Sequence, residues 1–233
     1  MSGIPVQVVR KKIKNLHLAV YPPNGRVRVA VPMHISDETV RLAVISRLGW
    51  IHKRQKVLEQ QVRQSKREMV TGESHFIQGR RYLLNVIEKN GPPTLVVRNN
   101  KTLEMQVPPG TNFLKRSEVL QRWYRKLLRD QIPGLLAKWK PAIGVNVSYC
   151  GIRKMKTKWG SCNTDAKRIW LNLELAKKPP ECLEYILVHE MVHLLERSHN
   201  DQFRGLMDQF MPQWKLHRDA LNRAPLGDEE WIY

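Results

Sequence analysis

The segment that most restricts this chain runs from Cys182 to Leu195, C-L-E-Y-I-L-V-H-E-M-V-H-L-L. It has no glycine or proline, and apolar side chains lie almost all round its helical wheel, which is the pattern of a buried helix. Yet it carries His189, Glu190 and His193 at HExxH spacing. In a helix, residues four apart stand about 40° apart around the axis and one turn along it, so the two imidazoles share a face. Burying such groups is costly unless hydrogen-bond partners or a metal satisfy them. Two neutral imidazoles at ~2.0–2.1 Å from one zinc ion meet that need, and Glu190, set to the side, reaches a water on the ion without ligating it.

A catalytic zinc takes three protein ligands and keeps a fourth position open. His199 follows His193 by six residues and supplies the third. Glu196 is its rival, because it shares the histidine face and offers a carboxylate as ligand or as support for a ligand. The other histidines, His17, His34, His52, His75 and His217, have no ligand spacing among themselves.

The rest of the chain reads as strands first and helices later, an α+β arrangement. Leu16–Tyr21 and Arg26–Val31 flank Pro22-Pro23-Asn24-Gly25, a hairpin signal with alternating side chains. Ser36 offers an N-cap to one long helix running to about Ser65, with Gly49 as its weak point and a polar tail from Gln55 to Arg67 that projects into solvent. Short strands are expected around 75–77, 81–87, 94–97 and 102–107. Pro108-Pro109-Gly110 marks the boundary between a β-rich N-terminal region, 1–110, and a catalytic domain, 111–233. Within the latter, Phe113–Trp139 reads as helix interrupted at Pro133-Gly134, then a strand at 145–153, a loop at 157–164 and a strand at 168–175. Alternation in that last strand puts Ile169, Leu171, Leu173 and Leu175 on one face, and its edge is placed to receive an extended peptide near the metal.

Composition narrows the class. Apolar residues make up 42% and charged residues 26%, which excludes a disordered chain. No run approaches a membrane span, and the N-terminus lacks the order of a signal peptide. Three cysteines, an odd count without a disulfide-framework spacing, point to a reducing cytoplasm. Lys and Arg number 40 against 21 acidic residues, a net charge of +19. A field of that sign attracts polyanions, so nucleic acid is a candidate partner, although the basic residues are dispersed and no recognition motif accompanies them.

The combination Lys156-Thr157-Lys158-Trp159-Gly160-Ser161-Cys162-Asn163, then Ile169–Leu175, then His189–His199 resembles the YgjP-like metallopeptidase family, which is related to the SprT-like and WLM zinc peptidases. The resemblance covers most of the chain. It implies a zincin-like catalytic domain after a β-rich region, with His189, His193 and His199 as zinc ligands and Glu190 as the catalytic glutamate. SprT-like relatives also suggest recruitment to DNA. In metzincins a glycine where this chain has Glu196 turns the third histidine onto the metal. Here the turn must be made otherwise, by ending the helix near Arg197-Ser198. The Trp159-Gly160-Ser161 loop is given a structural or site-adjacent role, and Cys162 is read as a buried, inert thiol.

Three functions follow from these residues. The first is zinc-dependent hydrolysis of peptide bonds in a peptide or protein substrate, with Glu190 as general base. The second keeps the metal but attacks phosphate esters or nucleotides, favoured by Arg153, Lys154, Lys156 and Lys158. The third is a nucleic-acid-associated binding protein with a structural metal.

Overall fold

The computed structural model describes residues 4–21, 24–60, 68–155 and 158–223, and the alternating N-terminal segments form its first sheet. Strands β2 (His17–Tyr21) and β3 (Arg26–Pro32) pair antiparallel with Tyr21 opposite Arg26, as the hairpin pattern requires. Pro22 and Pro23 lie outside the described residues. β1 (Val6–Lys11), which the sequence pattern did not mark, runs parallel along the other side of β3. The inward valines of β3, Val27, Val29 and Val31, are fully buried against Val40, Val44 and Ile51.

Those last three residues come from two helices, not one: α1 (Asp37–Ile45) and α2 (Leu48–Gln60). The break falls at Ser46-Arg47, ahead of Gly49. The Ser46 hydroxyl donates to the Ala43 carbonyl at 3.0 Å, a side-chain bond that competes with the helical ladder. The helix start is as expected, with Ser36 accepting from the Thr39 N–H and Asp37 and Glu38 in the first turn. The polar tail is described only as far as Gln60.

The second sheet has the order β4-β5-β7-β6, from β4 (Ser74–Ile77), β5 (Arg80–Glu88), β6 (Thr94–Arg98) and β7 (Thr102–Val107). Its inward side chains Leu84, Leu103 and Met105 share one core with Val119, Leu120 and Tyr124 of α3 (Phe113–Ile143). By this shared core the strands at 74–107 pack with the C-terminal helices, and the chain divides into two compact units near residue 66.

Helix α3 runs 31 residues without the expected interruption at Pro133-Gly134. Proline within a helix costs about 3 kcal/mol. Burial of Leu128, Ile132, Trp139 and Ile143 on both sides of it outweighs that cost. The helix ends where the sequence lets it, at Gly144 in the left-handed region (φ 74°).

A third sheet, order β8-β10-β9, follows: β8 (Tyr149–Arg153), β9 (Gly160–Asn163) and β10 (Arg168–Asn172). Two expectations change here. Residues 160–163, read as loop, form an edge strand antiparallel to β10, which is therefore central and offers no free edge. The strand expected to reach Leu175 stops at Asn172, and Leu173–Lys177 forms a 3-10 turn. Asn172 causes the stop. Its buried side chain accepts from the Glu174 N–H and donates to the carbonyls of Met155 and Lys158, at 2.9 and 2.8 Å.

The turn at Gln78-Gly79, both with positive φ, seats against this region. The Gln78 and Gly79 N–H groups donate to the Ala176 and Lys177 carbonyls, and a Cβ on Gly79 would lie 2.9 Å from Pro179 Cγ. The chain then enters α4 (Pro180–Val192) with proline at its first position, followed by α5 (Asp201–Phe210) and α6 (Trp214–Arg223). The protein is thus a mixed α and β structure. No helix among the described residues is long and apolar enough to cross a membrane.

Candidate metal centre

Helix α4 is buried nearly all round, with Leu187, Val188, Met191 and Val192 wholly inaccessible, as its wheel requires. His189 and His193 stand one turn apart at its C-terminal end. The helix stops at Val192, with His193 as its C-cap, which is earlier than Arg197-Ser198. Tight turns replace the helical ladder: the Leu194 and Leu195 N–H groups reach back three residues, to Met191 and Val192. That early exit does the work that glycine does in metzincins. It leaves the six residues after His193 free to fold back, and His199 returns to the face of His189.

One ring nitrogen from each of His189, His193 and His199 lies within 4.8 Å of the other two. His189 Nε2 and His199 Nε2 are 3.0 Å apart. Ligands on a tetrahedral zinc with bonds of ~2.0–2.1 Å stand ~3.3–3.4 Å apart, so these nitrogens are spaced to share an ion. His193 Nδ1 donates to the Glu196 carbonyl at 3.1 Å; a carbonyl only accepts, so the proton sits on Nδ1 and Nε2 keeps its lone pair. His189 Nδ1 is buried with no partner among the described residues, which leaves Nε2 as the ring's anchor. Burial, reinforced by the two neighbouring imidazoles, pushes His189 down to about 3, and burial likewise lowers His193. Both are therefore neutral, the form that binds a metal. The donor set fits zinc.

Glu196 is placed differently from the histidines. Its carboxylate accepts from the Ser198 N–H at 2.9 Å, and its backbone carbonyl is the partner of His193. Its contact with the cluster thus runs through the main chain.

Two features of the centre gain a specific role only from the structure. Phe203, on α5, is buried beneath the cluster, with its ring 5.0, 4.7 and 4.8 Å from those of His189, His193 and His199. Asn200 places it, because its side chain accepts from the Phe203 N–H and so caps α5 directly after His199. Gly160 is the second. A Cβ there would lie 2.6 Å from Glu190 Oε1, 2.8 Å from its Cγ and 2.9 Å from Ile186 Cγ2. Only glycine lets β9 approach α4 this closely, which explains why the Trp159-Gly160-Ser161 segment matters.

Glu190 is 6% exposed, and burial raises its carboxyl to about 7, with Lys158 pulling the other way. It faces a cleft of about 590 Å³ that also takes in the three histidines, Tyr185 and Cys162. Lys158, Arg197 and Arg218 line the same cleft, where Glu190 is the sole carboxylate among the described residues. Cys162 is half-buried, and burial, with Glu190 beside it, pushes its thiol up to about 11.

Three outcomes follow from this geometry. Calorimetric titration of chelator-treated protein should find about one tight zinc site, lost in His193→Ala; unchanged affinity in that variant would remove His193 from the ligand set. Gly160→Ala should lower stability by about 1–3 kcal/mol in denaturant melts, because Glu190 or β9 must shift, and an unshifted midpoint would contradict the close approach. Cys162, with an ordinary thiol value of 9.0 raised to about 11, should carry about 100-fold less thiolate at pH 7.5 and alkylate correspondingly slowly, faster as pH rises toward 11. Rapid labelling at neutral pH would count against its burial.

Comparison with known proteins completes the picture. The chain is 22% identical to a metallopeptidase zymogen, the jannalysin of Methanocaldococcus jannaschii, over 40% of this chain and 92% of that one, with a TM-score of 0.33. No curated protein matches it. The model of the YgjP-like metallopeptidase domain matches residues 14–224, which spans the histidine cluster, Glu190 and the Gly160 segment. The chain belongs to the YgjP-like metallopeptidase family.

Proposed function

We propose that this protein is a zinc-dependent peptidase with a zincin-like catalytic unit, in which His189, His193 and His199 hold the ion and Glu190 is the general base. The observation that carries this reading is the company the cluster keeps: three imidazoles, each with a ring nitrogen within 4.8 Å of the others', share a cleft with the buried carboxylate of Glu190, the neighbour of His189 on α4. Zinc bound there would supply Lewis acidity toward a scissile carbonyl and lower the pKa of the attacking water.

The chain's own groups account for the remaining chemistry. Glu190 takes the water proton and passes it to the departing amine, a task suited to a carboxyl whose two states lie close in energy near neutral pH. Gly160 and Ile186 confine it, so the proton is accepted and delivered from one position. β9 is an edge strand, and Ser161 and Cys162 from it line the cleft. An extended substrate pairing with that edge would gain backbone hydrogen bonds that do not depend on its sequence. This role passes to β9 from the β10 segment, whose two sides are already paired.

The family membership favours peptide bonds. One feature favours the phosphate-ester reading: Lys158, Arg197 and Arg218 around the cleft would attract an anionic substrate.

Glu190→Gln should retain about one zinc while hydrolysis of a mixed peptide library falls by ~10²–10⁴-fold. Undiminished cleavage in that variant would sink Glu190 as the base. Phosphate release from nucleoside triphosphates, abolished by His193→Ala and unaccompanied by peptide cleavage, would favour the second reading.

A further inference from the structure

The third sheet has an inner face and an outer one. Ile169 and Leu171 of β10 are fully buried in the core. Alternation turns Tyr149, Gly151 and Arg153 of β8, together with Arg168 and Trp170 of β10, the other way. In register, Tyr149 stands opposite Arg168 and Gly151 opposite Trp170.

Tyr149, Gly151, Arg153 and Trp170 form one stacked group. Trp170 lies across Gly151, where a Cβ would meet Trp170 Cζ3 at 2.5 Å and Tyr149 Cε1 at 2.6 Å. The Arg153 guanidinium sits 3.5 Å from the centre of the Trp170 ring, and the Tyr149 ring lies 5.3 Å away, tilted by 60°. Tyr149 is 49% exposed, and Arg153 and Arg168 are exposed. The three strands contain no Asp or Glu, and no ion pair among the described residues involves either arginine.

An exposed ring, a guanidinium plane held flat on an indole, and unpaired positive charge around them supply two things at once. They offer π-surfaces for stacking and cations for phosphates. A lipid surface has no use for the first, and a duplex keeps its bases stacked on one another. Unpaired bases joined by phosphates use both. We propose that the outer face of β8 and β10 binds single-stranded nucleic acid, with bases stacking on Tyr149 and Arg153 and the backbone passing Arg168. The site shares no residue with the histidine cluster and does not depend on the peptidase reading.

The test is fluorescence anisotropy with a labelled oligothymidylate of roughly 20 nucleotides. Binding by the full chain should weaken at least tenfold between ~50 and ~200 mM salt. At fixed salt, Tyr149→Ala and Arg153→Gln should each cost about 5- to 100-fold, while Tyr149→Phe, which keeps the ring, binds like the parent. Arg129→Gln removes the same charge from the exposed side of α3 and should change affinity less than about twofold. No binding at the low-salt end would overturn the proposal. So would an equal loss in Arg129→Gln and Arg153→Gln, or duplex binding as tight as single-strand binding.

Discussion

The structure depends on one helix being enclosed by core along its length while its last turn opens into a cleft. Nine of the thirteen residues of α4 are buried, and burial at roughly 25 cal/mol per Å² of apolar surface fixes the rotation of the helix about its axis. A shift of one residue would turn every side chain by about 100° and carry Tyr185, His189 and His193 away from the cleft. The imidazoles are therefore aimed by the packing of their neighbours, not by contacts of their own.

The same burial sets the charge states at the site. Desolvation keeps His189 and His193 neutral and raises the Glu190 carboxyl, so the imidazoles and the carboxylate are tuned by one cause. The close approach at Gly160 is part of that desolvation, since β9 covers the flank of Glu190 that water would otherwise reach. The positive groups at the cleft and on the outer face of the third sheet divide a net charge of +19 into separate local fields. Only the cleft field acts beside the histidines.

Much of this was legible in the residues. The HExxH spacing and the apolar wheel around it are periodic facts, and periodicity survives folding whenever a segment is long and buried enough to enforce it. His199 was likewise visible as the third histidine, and the hairpin at Asn24-Gly25 as a local turn signal. The misreadings share one origin. Ser46, Pro133 and Asn172 each set a local preference against a tertiary one: a side-chain bond ended a helix at Ser46, core packing carried α3 through Pro133, and a buried amide stopped β10 at Asn172.

The sequence by itself determined that two imidazoles and a carboxylate share one buried helix, because 3.6 residues per turn leaves them no other arrangement. It also determined an α+β composition and a strongly basic surface. Only the tertiary structure decided that the helix ends at His193, that Glu196 turns its carboxylate to Ser198, and that Phe203 closes the underside of the cluster. Only the fold, too, made residues 160–163 an edge strand against Glu190 and placed the strands at 74–107 with the C-terminal helices. Each of these is a contact between segments distant in the chain, and no local pattern encodes which distant backbone will come close enough to require a glycine.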